Sequence, residues 1–214
     1  MEKLIIFDLD GTLVNTVVDL NASLNYAFKV NNFPTRSVED TAKAIGNGIY
    51  TTIIRLLPSS ATKSDYDKCL LDFRKHYLNH YLDHSLPYEG MIETLKALKE
   101  SGYCLAVATN KLDEVAKNMV SNLYPNIFDI IRGDNPSTPK KPDPTMINSV
   151  IEELNIDKDN VYYVGDSEVD IESASNAGVK LILADYGFHR SEEFVKYNKA
   201  PHIKEPKDLL KIFK

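Results

Sequence analysis

Cysteine is scarce in this sequence of 214 residues: there are two, Cys69 and Cys104, far apart and in no metal or redox spacing. That excludes a disulfide scaffold and a zinc knuckle, and two buried free thiols in a reducing compartment are expected. Basic charge is short as well. Lysine and arginine number 25 against 31 acidic residues, for a net charge of −6, so a strongly basic nucleic-acid binder is excluded. No apolar run approaches the roughly 18–20 residues of a membrane span, and no membrane partner is expected. The apolar part of the N-terminus, Leu4-Ile5-Ile6, is too short for a signal peptide and runs into acidic residues, which points to the cytoplasm. Internal repeats and low-complexity tracts are also missing. What is present is ordinary for a folded domain: 43% hydrophobic and 26% charged residues, enough to bury a core.

The apolar, β-branched segment Lys3-Leu4-Ile5-Ile6-Phe7 predicts a buried strand that ends abruptly in Asp8-Leu9-Asp10-Gly11-Thr12. From about Val14 to Ser85 the texture is helical. Val17, Leu20, Leu24 and Ala27/Phe28 recur at helical spacing, Ser37-Val38-Glu39-Asp40 offers a capping box, and Gly46-Asn47-Gly48 signals a turn. Helices are expected at 49–57 and 63–83. Beyond Pro87, helices (90–101, 111–123, 144–154, 169–177, 208–213) alternate with strands (103–108, 128–132, 161–164, 181–184). This alternation predicts an α/β fold, a doubly wound, Rossmann-like parallel sheet with right-handed crossovers. An all-helical cap over residues 15–85 is inserted into a core of residues 1–14 plus 86–214, with expected hinges near 13–15 and 85–87. The cap is nearly neutral, with eight basic and seven acidic residues, so the excess acid lies in the core.

Ligands of an open parallel sheet bind beyond the carboxyl ends of its strands. Asp8 and Asp10 follow the first strand, and Thr109 and Asn110 the second. Gly165-Asp166-Ser167 follows a later strand, with Asp170 one helical turn on, and Lys140 and Lys141 lie in the loop before the helix leading to it. Four carboxylates brought together repel one another unless a cation sits among them. An all-oxygen set without histidine or a cysteine pair suits Mg²⁺ better than zinc. A lysine and a threonine hydroxyl beside it can hold phosphate oxygens. The set therefore predicts Mg²⁺-assisted phosphoryl transfer, with a carboxylate as one possible phosphate acceptor.

Asp8-Leu9-Asp10-Gly11-Thr12 resembles the nucleophile motif of the haloacid dehalogenase superfamily. Thr109 fits its second motif, Lys141-Pro142-Asp143-Pro144 its third and Gly165-Asp166-Ser167-Glu168-Val169-Asp170 its fourth, in order and over essentially the whole chain. Within that superfamily the sequence is similar to the phosphoglycolate phosphatase group, through Ile45-Gly46-Asn47-Gly48, Tyr88-Glu89-Gly90 to Gly102, Ala108-Thr109-Asn110-Lys111 and the surroundings of Arg132-Gly133-Asp134.

The resemblance implies a phosphatase acting on a small phosphorylated metabolite, with 2-phosphoglycolate as first candidate. It implies Asp8 as nucleophile and Asp10 as acid and base. Mg²⁺ would be held by Asp8, Asp166 and the main-chain carbonyl of Asp10, with Asp170 behind them orienting metal waters or Lys141. Thr109, Asn110 and Lys141 would bind the phosphoryl group, and Gly46-Asn47-Gly48 would form a substrate loop on the cap. A phosphomutase, a pyrophosphatase or a nucleotidase on the same scaffold, and a receiver-like signalling domain, are the alternatives. Thr12 favours hydrolysis over the mutase, and Asp10 and the cap argue against the receiver. Arg36 and Arg55 are expected on a solvated helix face. So are His76, His80 and His84, despite a spacing able to hold zinc or nickel. The sequence does not choose between monomer and dimer.

Overall fold

A computed structural model describes residues 3–189 and 200–213. The chain divides into two units, one of Met1–Asn15 with Pro87–Lys214 and the other of Thr16–Leu86. The first is built on a six-stranded sheet, all of whose pairings are parallel: β1 (Lys3–Phe7), β4 (Tyr103–Leu112), β5 (Ile130–Asp134), β6 (Val161–Gly165), β7 (Lys180–Ala184) and β8 (His202–Ile203). Their order is β5-β4-β1-β6-β7-β8, so β1 lies between β4 and β6, where the winding reverses. That reversal opens a crevice at the carboxyl end of β1. β2 (Val14–Asn15) and β3 (Leu86–Pro87), which the apolar pattern does not reveal, pair as a separate two-stranded sheet.

β1 is apolar throughout because both of its faces are covered. Leu4 and Ile6 join one cluster with Met146, Ile147 and Val150 of α7 (Thr145–Leu154) and Ala174 and Ala177 of α8 (Glu168–Ala177). Ile5 and Phe7 point to the other face, and Phe7 meets Phe128 edge-on at 6.1 Å. All four side chains are fully buried, each worth about 1.5–3 kcal/mol of transfer free energy. α5 (Met91–Glu100) and α6 (Asp113–Leu123) pack against β4, and α9 (Leu209–Ile212) ends the described chain.

The element types agree with the sequence pattern and the boundaries move. β4 runs on to Leu112 through a register irregularity beside β5, so Lys111 belongs to a strand end and not to the first turn of α6. β5 begins at Ile130 and β8 was not foreseen, being only two residues long. Cys69 is buried, whereas Cys104 is only half-buried, on a strand whose neighbours leave its side chain partly uncovered.

The second unit consists of α1 (Val17–Val30), α2 (Val38–Ala44), α3 (Ile49–Leu56) and α4 (Lys63–His80). Leu20, Leu24, Ala27 and Phe28 of α1 are buried, as are Phe73 and Tyr77 of α4, the helix against which α1 packs. Ser37 and Asp40 form the foreseen capping box, and Thr62 with Asp65 forms a second. Asp19, 2% exposed in the first turn of α1, accepts from the main-chain N–H groups of His84 (3.0 Å) and Ser85 (2.8 Å) and from Ser85 Oγ (2.7 Å). It thereby ties down the segment that leaves α4. That helix ends at His80, so His84 lies beyond it, paired with Asp19, and the three histidines do not share one helix face. His76 stacks between Tyr26 and His80 and bonds Ser23.

Candidate active site

The turn after β1 sets the site. The N–H groups of Leu13 and Val14 donate to Leu9 O, and that of Gly11 donates to Val14 O, which folds the chain back within six residues. Gly11 takes a left-handed φ of 88°, open to glycine without strain. Its missing side chain matters for a second reason. A Cβ there would lie 2.4 Å from Asp166 Oδ2. On the segment after β7, a Cβ on Gly187 would lie 2.3 Å from Asp166 Cβ. Asp166 is thus pressed between two glycines. Its Oδ1 accepts from Thr12 Oγ1 (3.1 Å), and its Oδ2 accepts from the Phe188 N–H (2.7 Å). Tyr186 OH donates to Thr12 O (3.2 Å), closing this arc.

Asp170 does two jobs from one position. With Ser167 it forms the capping box of α8, its Oδ2 accepting from Ser167 Oγ (2.6 Å) and from the N–H groups of Ser167 (3.1 Å) and Asp166 (3.2 Å). Its Oδ1 accepts from Lys141 Nζ (2.9 Å) and Tyr163 OH (3.0 Å). Lys141, with a side chain 1% exposed, also lies 2.9 Å from Asp8 Oδ1 and donates to Tyr163 OH at 2.6 Å. Its main chain is clamped by Asn110, whose Nδ2 donates to Lys141 O (3.0 Å) and whose Oδ1 accepts from Lys141 N (2.9 Å). The Asn110 carboxamide, expected to face phosphate, is therefore turned to Lys141. Lys140, the competing candidate, pairs instead with Asp134.

Thr109 is buried in β4, three residues before its end, and its Oγ1 accepts from the Lys111 N–H (3.3 Å). Lys111 in turn reaches Asp10 Oδ1 at 2.7 Å. Gly46, Asn47 and Gly48 lie in the second unit, between α2 and α3. There Gly46 and Gly48 have positive φ, and Arg55 donates to Asn47 Oδ1 (2.6 Å) and Ala44 O (3.0 Å). Arg36 donates to Leu56 O. Both arginines brace their own unit.

Electrostatics follow from burial. Carboxylate oxygens of Asp8, Asp166 and Asp170 lie within 4.8 Å of one another. Burial pushes Asp8 up to about 6, with Lys141 opposing and Asp170 and Asp10 adding to the rise. Burial raises Asp166 well above the carboxylate range, helped by the charges of Asp170 and Asp8. For Asp170 burial also acts upward, but Lys141 and the hydrogen bonds it receives hold it low. Lys141 stays charged against its own burial because Asp170 and Asp8 flank it. One lysine among three crowded carboxylates leaves negative charge uncompensated. Asp8 Oδ1 is buried and has no aligned hydrogen-bond donor despite its ion pair with Lys141. An all-oxygen set with such an atom fits a hard divalent cation. Each oxygen of Asp170 takes two or more protein donors, whereas each oxygen of Asp166 takes one, from Thr12 or Phe188.

Sequence reasoning did not single out Lys111, Tyr163, Asp19 or the 185–188 segment. The strand-end rule would have found the last, since it directly follows β7. Tyr163 sits in an apolar strand beside a second tyrosine, Tyr162, and the pattern does not mark which hydroxyl meets the lysine.

A family model described as haloacid dehalogenase-like hydrolase matches residues 5–184. The chain is 33% identical over 214 residues to a phosphoglycolate phosphatase of Aquifex aeolicus, covering 98% of this chain and 96% of that one. It is 35% identical over 192 residues to a phosphoglycolate phosphatase of Agrobacterium fabrum, covering 88% and 82%. Among solved structures, a protein of Haemophilus somnus predicted to be a phosphoglycolate phosphatase superposes with a TM-score of 0.90 at 29% identity, covering 100% of this chain and 98% of that one.

Proposed function

The chain belongs to the haloacid dehalogenase-like hydrolases, and from that premise we propose that it releases phosphate from a small phosphomonoester, 2-phosphoglycolate first among them, through an aspartyl-phosphate on Asp8. The observation that carries this reading is the crowding of Asp8, Asp166 and Asp170 beyond the central strand, with Lys141 paired to Asp8 and Asp170. In the relatives named above, the same family carries phosphoglycolate phosphatases.

Asp8 Oδ1, buried and short of donors, is the group that attacks phosphorus, while the ester oxygen departs on the far side of the phosphoryl group. Asp10, two residues on and less buried, gives the departing alcohol its proton and then takes one from the water that opens the aspartyl-phosphate. Thr109 Oγ1 and Lys141 stabilise the charge on the transferring oxygens, and Asn110 holds Lys141 in register. Asp8, Asp166 and the Asp10 carbonyl would hold Mg²⁺, which supplies charge neutralisation to the phosphoryl group when bound. The cap unit, with its 46–48 loop, is assigned to substrate selection. The scarcity of cysteine suits a cytoplasmic enzyme, and among the described residues no helix is long and apolar enough to cross a membrane.

The test is phosphate release with Mg²⁺ from 2-phosphoglycolate, pyrophosphate, β-glucose 1-phosphate and a nucleoside monophosphate, with Asp8→Asn as blank. Release well above the blank, greatest for 2-phosphoglycolate, is expected. Residual turnover of Asp8→Asn within tenfold of the parent would remove Asp8 as nucleophile. Even, weak release across the panel would remove the substrate, and none at all would bring the mutase forward.

A further inference from the structure

Two buried lysines serve this site, and they face different carboxylates. Lys141 Nζ has three donors, and three groups surround it: Asp8 at 2.9 Å, Asp170 at 2.9 Å and Tyr163 OH at 2.6 Å. It is committed to the nucleophile side. Lys111 reaches Asp10 at 2.7 Å, with its own side chain only 4% exposed and that of Asp10 15%. Burying an ammonium is expensive and lysine is rarely so enclosed, so a role for this charge is called for.

If Asp10 serves the departing alcohol, its carboxyl touches the ester oxygen. An ammonium 2.7 Å from that carboxyl then lies within about 5 Å of this oxygen, two hydrogen-bond lengths, which a carboxylate on the adjoining carbon can bridge. A compact charge on a flexible four-carbon stem suits a small anionic group there. We propose that Lys111 binds an anionic substituent on the leaving alcohol, a carboxylate one carbon from the ester oxygen, and so selects acidic phosphomonoesters over neutral ones. This rests on the phosphatase reading above and adds the group that recognises the alcohol.

The experiment compares kcat/KM for 2-phosphoglycolate with that for its uncharged isostere 2-phosphoglycolamide, in the parent enzyme, Lys111→Met and Lys111→Arg, with Mg²⁺ present. The parent should prefer the acid. Lys111→Met should reduce the ratio of the two values about 10- to 100-fold, the scale of one charge-assisted hydrogen bond, and Lys111→Arg should restore part of it. Because the ratio is read, a general loss from a displaced Asp10 cancels. In the parent alone, glycolate should inhibit competitively more strongly than glycolamide, which tests the idea even if a variant fails to fold. Equal losses on both esters, or a parent enzyme indifferent to the carboxylate, would overturn the assignment while leaving the phosphatase intact. Turnover of p-nitrophenyl phosphate but of neither glycolyl ester would also overturn it. No turnover of any ester would instead bring down the phosphatase reading and Lys111 with it.

Discussion

Gly187→Ala isolates what holds Asp166. Gly187 lacks a left-handed φ, so its backbone accepts alanine, and any effect arises from the new methyl group. That group would lie 2.3 Å from Asp166 Cβ, 2.5 Å from Oδ2 and 2.6 Å from Cγ. Ordinary van der Waals contact begins at 3.4 Å, so a shift of about an ångström is required. Asp166 cannot retreat, because a Cβ on Gly11 would already be 2.4 Å from its Oδ2, which means that the backbone of Gly11 closes the other side. The 185–188 segment must then move out, loosening the Phe188 N–H to Asp166 Oδ2 bond of 2.7 Å. Overpacking of this kind costs about 1–3 kcal/mol, or roughly 2–12 °C of melting temperature for a chain of this size. Loss of the groups that orient a metal ligand weakens affinity about 10- to 100-fold. Calorimetric titration of the metal-free protein with Mg²⁺, together with thermal melts, measures both. A Mg²⁺ affinity within twofold of the parent would refute the account of Asp166 as a ligand fixed by two glycines.

Metal-free protein should become less stable as pH rises from about 4 to about 6. Asp8 is raised from 3.8 to about 6 in the folded state, so its contribution is present below the unfolded value and is lost as pH rises through about 6. The shift corresponds to about 2–3 kcal/mol, and Asp166, also raised, acts in the same direction. Mg²⁺ should therefore raise the melting temperature more at pH 7 than at pH 5, and equal increments would contradict the carboxylate cluster as its site. Asp19→Ala leaves the His84 and Ser85 N–H groups without their carboxylate. A loss of about 2–4 kcal/mol is expected, read as a lower urea midpoint, and Asp19→Asn should lose less because it keeps an acceptor.

The sheet was legible because β1, β4, β6 and β7 are short apolar runs that punctuate polar, helix-periodic stretches. That Asp8, Asp166 and Asp170 come together was legible because strand ends in such a sheet converge. What escaped was set by the third dimension. Tyr163 joins the apolar cluster through its ring and the Lys141 network through its hydroxyl, and a strand pattern registers only the ring. Asn110 has the composition of a phosphate donor, yet the approach of the 141 loop turned its carboxamide elsewhere. Gly187 is silent in sequence, since the atom it keeps clear of lies on another strand's loop. Lys111 was obscured by a boundary, because β4 continues two residues into what reads as helix.

The pairing of β2 with β3 has a consequence for how such enzymes diversify. The chain leaves the core unit and returns to it along two adjacent strands, so the insert begins and finishes at one place. Any segment whose two ends meet could be carried there, and the entropy of closing it grows only slowly with its length. Exchange, duplication or trimming of that cassette would leave β1 and its aspartates untouched. A lineage can thus replace the inserted unit without altering the turn that carries Asp8 and Asp10.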